Sequence, residues 1–215
     1  MRYKTRMKKN QLIRLIVILV LGLGFAAAIA AYQIKSEQES GALTIVKKEE
    51  QPSIVSENFG GPFTLTTHTG ARVTEKNYEG QWRMIYFGFT YCPAICPTEL
   101  QKMTLVLNEL GEKGETITPI FISVDPERDT VEVMKDYLSL FHPRFIGLTG
   151  TVQEIEKAKK GYKIYAAKVQ DETMSDYTVD HSSFIYLMDP DNNLRRIFKI
   201  QDSAEDIIDF INRTL

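Results

Sequence analysis

The sequence predicts an α/β domain, a mixed central sheet flanked by helices, carried behind an N-terminal transmembrane helix. Three observations predict it. Strand-like apolar runs at 81–89 and 117–125 alternate with amphipathic helical stretches, the pattern of a parallel core sheet. A strand–turn–strand pattern near the C-terminus adds antiparallel strands. An uncharged apolar run follows a basic N-terminus.

Residues 1–14 form a basic segment that holds Arg2, Lys4, Arg6, Lys8, Lys9 and Arg14 and no acid. Residues 15–32, LIVILVLGLGFAAAIAAY, carry no charge. At ~1.5 Å per residue such a helix covers about 27 Å, close to the hydrocarbon thickness of a bilayer. The basic flank stays on the cytoplasmic side, and Tyr32 suits the interface. The small residues of AIAAY also fit a signal-peptide cleavage site, but the run exceeds a signal core of roughly 7–15 residues. The expectation is a single-pass protein of the inner (cytoplasmic) membrane with its body on the exported, periplasmic or extracytoplasmic side. Residues 33–56 are polar and charged and read as a tether. The folded domain then spans 57–215.

Within that domain, residues 58–80 alternate apolar and polar residues around a Thr-Gly turn, as a β-hairpin does. The aromatic and aliphatic run 81–89 reads as a buried strand. From Pro97, Leu100, Met103, Val106, Leu107 and Leu110 share one helical face, which ends at Gly111. A second strand covers 117–125. The next helix has Asp129 as its expected N-cap, with Glu132 three residues on. A short strand over 144–150 precedes a helix opened by the capping-box pair Thr151 and Glu154. Residues 163–169 read as a further strand. The stretch 183–200 reads as a hairpin that turns at Pro190, Asp191, Asn192 and Asn193. Ser203 caps a last amphipathic helix.

The chain carries a net charge of −2, and removing the six N-terminal bases leaves −8 for the rest. A mildly acidic body argues against nucleic acid as a partner. No phosphate loop, G-x-S-x-G or H-E-x-x-H is present, and no paired carboxylates stand in a glycosidase pattern.

Both cysteines, Cys92 and Cys96, lie in TYCPAICPTEL. In an exported domain the pair suggests one structural disulfide. Its position argues for chemistry instead. It lies at the C-terminal end of a core strand and opens a helix, the edge where open α/β sheets place their sites. The partial positive charge of a helix start stabilises a thiolate. Thiol-redox motifs usually have two intervening residues. Three disfavour a simple exchanger and favour a bidentate soft site, without excluding a disulfide.

Among the three histidines, His68 beside the Thr-Gly turn reads as a surface residue, and His142 reads as structural, at a helix C-terminus. His181 directly precedes a core strand, with Asp180 beside it. Asp180 or a backbone carbonyl is placed to orient the imidazole. Two thiolates and one imidazole suit Cu(I), Zn or Cu(II). A structural zinc site wants a fourth ligand, whereas three-coordinate Cys₂His fits Cu(I). Asp125, Glu127, Arg128 and Asp129 in SVDPERDT read as a loop of local caps, or as a docking or site-shaping loop. Asp189 and Asp191 read as turn formers. The sequon at Asn212–Thr214 lies in a terminal helix and carries little weight.

Four stretches in order, YFGFTYCPAICPTEL, ISVDPERDT, FHPRFIGLTG and YTVDHSSFIYLMDP, together with the anchor, resemble the Sco/SenC proteins over about residues 60–215. Those are membrane-anchored, thioredoxin-fold copper chaperones for cytochrome c oxidase assembly. The resemblance implies a thioredoxin-like fold with an N-terminal hairpin extension, and copper ligands at Cys92, Cys96 and His181. It implies cytochrome c oxidase subunit II as partner, served by delivering copper or by reducing that subunit's cysteines. Other copper chaperones or thioredoxin-like reductants are further partners. Such a protein is a metallochaperone rather than an enzyme, unless thiol–disulfide reduction is its task. From the residues alone, an exported oxidoreductase, a peroxidase-like enzyme and a domain with an inert disulfide all remain open. His181 separates metal binding from simple disulfide exchange, which can proceed without it.

Overall fold

The computed structural model describes Phe25, Ile29 and residues 59–170 and 176–215. The chain divides into two compact units, Met1–Gln51 and Pro52–Leu215. The expected basic segment 1–14 and tether 33–56 lie outside the described residues, as does the expected transmembrane run except for Phe25 and Ile29, both helical. Among the described residues no helix is long and apolar enough to cross a membrane.

In chain order the second unit holds β1 (Thr64–Thr67), β2 (Arg72–Thr74), a 3-10 turn (Glu75–Tyr78), β3 (Trp82–Gly88), α1 (Ile95–Leu110), a short α2 (Glu112–Glu115) and β4 (Ile117–Ser123). Then follow α3 (Val131–Leu138), β5 (Ile146–Thr149), α4 (Val152–Gly161), β6 (Ala166–Val169), β7 (Thr178–His181), β8 (Phe184–Met188), β9 (Leu194–Lys199) and α5 (Ala204–Thr214). A seven-stranded mixed sheet has the order β2-β1-β5-β4-β3-β8-β9. Strands β3, β4 and β5 run parallel at its centre, and β1, β8 and β9 pair antiparallel.

The physical reasons are local and then collective. Both faces of β3 and β4 are covered, so these strands read as continuous apolar runs rather than alternating ones. Helix α1 buries Leu100, Met103, Val106, Leu107 and Leu110, the face its sequence pattern marks. The Thr151/Glu154 and Ser203/Asp206 capping boxes are both formed. Asp189 Oδ1 accepts from the amides of Asp191 and Asn193, at 3.0 and 2.8 Å, and so closes the turn between β8 and β9.

Three expectations are corrected. The N-cap of α3 is Thr130, whose side chain accepts from Val133 N. Asp129 is instead fully buried and bonded to groups outside the helix. His68 is not a plain surface residue. It is half-buried, and its Nδ1 accepts from Gly147 N at 3.0 Å, which ties the first hairpin to β5. The strand expected over 163–169 stands outside the central sheet, because β6 pairs only with β7 in a separate two-stranded ribbon. The sequence reading did not anticipate β7, a short polar strand that owes its conformation to that pairing.

Gly88 ends β3 directly beneath the cysteine turn. A Cβ there would stand 2.9 Å from Cys96 Sγ, from Phe121 Cε2 and from Tyr86 Cε1 at once. All three residues are fully buried, so none can swing aside. Overpacking of this kind costs about 1–3 kcal/mol. Gly88→Ala is expected to lower the melting temperature by several degrees relative to wild type, read by circular dichroism. An unchanged Tm would show that the strand end gives way freely.

Candidate metal centre

The turn between β3 and α1 is positioned by a buried carboxylate. Asp129 accepts from Thr90 N at 3.2 Å, from Thr90 Oγ at 2.6 Å and from Ser123 Oγ at 2.5 Å. These bonds hold the residue two before Cys92 against the end of β4. Burial pushes the Asp129 carboxyl up, and the hydrogen bonds from Ser123 and Thr90 offset this.

Helix α1 begins at Ile95, so it contains Cys96 but not Cys92. Ala94 occupies the N-cap position and has no side-chain acceptor to offer. Cys92 Sγ fills that role, accepting from Cys96 N at 3.4 Å. A hydrogen bond from the Cys96 thiol is the largest stabiliser of its thiolate. Burial opposes ionisation, and the amides of Cys96, Ala94 and Ile95 favour it. Together these lower the Cys92 pKa to about 5. The same thiol–thiol bond, with burial, pushes Cys96 far up. These opposite shifts favour the thiolate at half-buried Cys92 and the neutral thiol at buried Cys96. Both sulfurs are free of disulfide.

His181 ends β7 and reaches back across the turn. Its Nε2 stands 3.5 Å from Cys96 Sγ, and its Nδ1 is 3.1 Å from the Ser182 carbonyl oxygen. A carbonyl accepts only, so Nδ1 carries the proton and Nε2 presents its lone pair to the sulfur. The ring meets Phe89 edge-on at 5.7 Å and Tyr86 at 6.2 Å. Burial lowers the His181 pKa, against the Ser182 hydrogen bond and the charges of Cys92 and Asp180. The neutral ring is the ligating form. Asp180 is exposed and acts on the imidazole through its charge, while the backbone carbonyl orients it.

Cys92 and His181 line one cleft of about 280 Å³, together with Phe89, Pro93, Ile95 and Ser183. Cys96 Sγ and His181 Nε2 are close enough that both would reach one small ion placed between them. Among the described residues no group of three or more His, Cys, Asp or Glu is placed to hold a metal ion as it stands. Cys92 sulfur is engaged by the amide of Cys96.

His142 and His68 lie apart from this centre. His142 Nδ1 accepts from Arg144 N at 3.2 Å, and His68 is engaged by Gly147. Sequence reasoning missed Tyr86, whose hydroxyl lies 3.8 Å from Cys96 Sγ, and the anchoring role of Asp129. Tyr86 carried a signal, since it lies two residues before Gly88 and so on the same face of β3.

The SCO1/SenC family model matches residues 51–215. The mitochondrial SCO1 homolog of Homo sapiens is 45% identical over 155 residues, 71% of this chain and 52% of that protein. The crystal structure of Arabidopsis thaliana ScoI with copper bound aligns with a TM-score of 0.69 at 43% identity, covering 73% of this chain and 99% of that one. BsSco, a member of the Sco family of cytochrome c oxidase assembly proteins in which a disulfide switch was identified, aligns with a TM-score of 0.59 at 27% identity, covering 76% of this chain and 97% of that one. The chain spans about half the length of the curated human and Arabidopsis relatives it matches.

The contrast between the two sulfurs predicts selective alkylation. In the reduced protein, iodoacetamide is expected to label Cys92 well before Cys96, read by peptide mass mapping. The Cys92 rate should rise with pH through about 5, as its thiolate forms, and then level off. Equal labelling, or an inflection near an ordinary thiol pKa of ~8.5, would refute the assignment.

Proposed function

The chain belongs to the SCO1/SenC family, and from that premise we propose that it is a membrane-anchored copper metallochaperone. Its cargo site is made of Cys92, Cys96 and His181, and its recipient is the binuclear copper site of cytochrome c oxidase subunit II. The observation that carries this reading is the 3.5 Å convergence of Cys96 Sγ and His181 Nε2, beside a cleft that Cys92 shares. The thioredoxin-like fold supports it, as does copper in the related Arabidopsis structure.

The residues fit the cargo. Thiolate and imidazole are soft to borderline donors, which favours Cu(I) and accommodates Cu(II). Cys92, already anionic, is the first sulfur to meet an incoming ion. Cys96 joins after giving its proton to solvent, so binding releases protons. His181 needs no change of protonation. Exposed Tyr91 and Ile95, at 43% and 41%, flank Cys92 and give the cleft an apolar rim for the oxidase subunit to cover. Residues 15–32 supply the single-pass anchor, with the domain on the exported side. Other copper chaperones or thioredoxin-like reductants would load or reduce the same pair.

One observation favours a second reading. A Cys92 thiolate beside the Cys96 thiol is also the arrangement of a disulfide reductase, in which Cys92 attacks a disulfide of subunit II and Cys96 resolves the mixed disulfide. The product would be a Cys92–Cys96 disulfide and two freed thiols on the partner.

Competition of the reduced full chain in detergent against a Cu(I) chelator of known affinity separates the two. Loss of a group that merely orients a metal ligand costs roughly 10–100-fold in affinity, so His181→Ala is expected to bind Cu(I) at least about tenfold more weakly. Equal affinity would remove His181 from the site. A wild type that binds no copper, yet reduces a disulfide in a subunit II peptide, would establish the reductase instead.

A further inference from the structure

The ribbon that carries His181 is not hydrogen-bonded into the seven-stranded sheet. Strand β7 pairs only with β6, in the register Ala166↔His181 and Lys168↔Val179. Its C-terminal end is held by the two-residue link from His181 to β8, and its N-terminal end by side-chain contacts that converge on Arg128. Arg128 Nε donates to Asp125 Oδ2 at 2.5 Å, on the loop after β4. Its Nη1 donates to the Tyr177 carbonyl at 2.8 Å, one residue before β7 begins. The guanidinium carbon lies 3.7 Å from the Tyr177 ring centroid and 4.7 Å from that of Tyr91, which adjoins Cys92. The Tyr177 hydroxyl closes the ring of contacts by donating to Asp125 Oδ1 at 2.8 Å. Asp125 is fully buried. Among the described residues Arg128 Nη2 is buried with no hydrogen-bond partner, and the guanidinium face meets the aromatic rings.

We propose that Arg128 is a positioning residue for the metal site. By bridging Tyr177, Asp125 and Tyr91 it sets the reach of His181 towards the cysteine pair. The inference rests on the metal site proposed above. Only a planar, forked cation can donate in two directions while stacking on a ring, so lysine cannot replace it. Because β7 is four residues long, a shift at Tyr177 is carried to His181 with little internal slack. Among the described residues no hydrogen bond or ion pair joins Arg128 to a sulfur or to the imidazole.

The test is a double-mutant cycle on the full chain in detergent, with Cu(I) affinity measured against a chelator for wild type, Arg128→Met, His181→Ala and the double variant. Arg128→Met is expected to weaken Cu(I) binding about tenfold in the wild-type background, and to leave it unchanged when His181 is already absent. In the metal-free protein, backbone amides of β7 should exchange with deuterium faster in Arg128→Met, and those of β3 and β4 at the wild-type rate. Arg128→Lys should not restore either quantity. Wild-type affinity in Arg128→Met, or an equal loss in both backgrounds, would overturn the proposal. Should Arg128→Met not fold, Tyr177→Leu removes the ring face, leaves the Arg128–Asp125 pair and carries the same comparison. Wild-type affinity in His181→Ala would overturn the metal site and this inference with it, a result separable from failure of Arg128→Met alone.

Discussion

The contact between Cys96 and His181 joins groups 85 residues apart, and much of the molecule serves to make it. A buried sulfur and a half-buried imidazole lose hydration and are compensated by other groups: Cys96 Sγ by the Tyr86 hydroxyl and by Cys92, and His181 by the Ser182 carbonyl. The sulfur packs against Gly88, whose missing side chain leaves it room, at a helix start. The imidazole is locked by the Ser182 carbonyl and walled by Phe89 and Tyr86. Loss of any of these elements would leave the two donors near each other without a defined geometry.

The two thiols differ because their surroundings differ. Cys92 lies where backbone N–H groups have no carbonyl partner, so an anion is welcome there. Cys96, one turn later, is buried among aromatic rings and donates to its neighbour. One sulfur is thus favoured as the anion, while burial and the bond to its neighbour favour the protonated form of the other. Their spacing of three intervening residues permits this, since the first stands just outside the helix and the second just inside.

The central strands and the main helices were legible because burial on both faces, or on one, leaves a direct periodic trace in the sequence. His181 was legible through its place just ahead of β8. Other features left no such trace. Strand β7 reads as polar loop because its pairing partner, rather than its composition, makes it a strand. Asp129 looked like a helix cap because Thr130, the true cap, follows it immediately. His68 looked exposed because the amide it accepts from lies 79 residues away on β5. Arg128 could be read as part of a shaping loop, but its stacking on Tyr177 depends on a crossing of segments that no local pattern records.

A sulfur that caps a helix ties the chemistry of the cysteine turn to the shape of the backbone. Cys92 Sγ accepts from the amide of Cys96 at the opening of α1. If the sulfur caps as a hydroxyl does, the bond contributes about 0.5–2 kcal/mol. Any displacement of Cys92 is therefore felt first in the opening turn of α1, and the backbone there reports on the state of the sulfur.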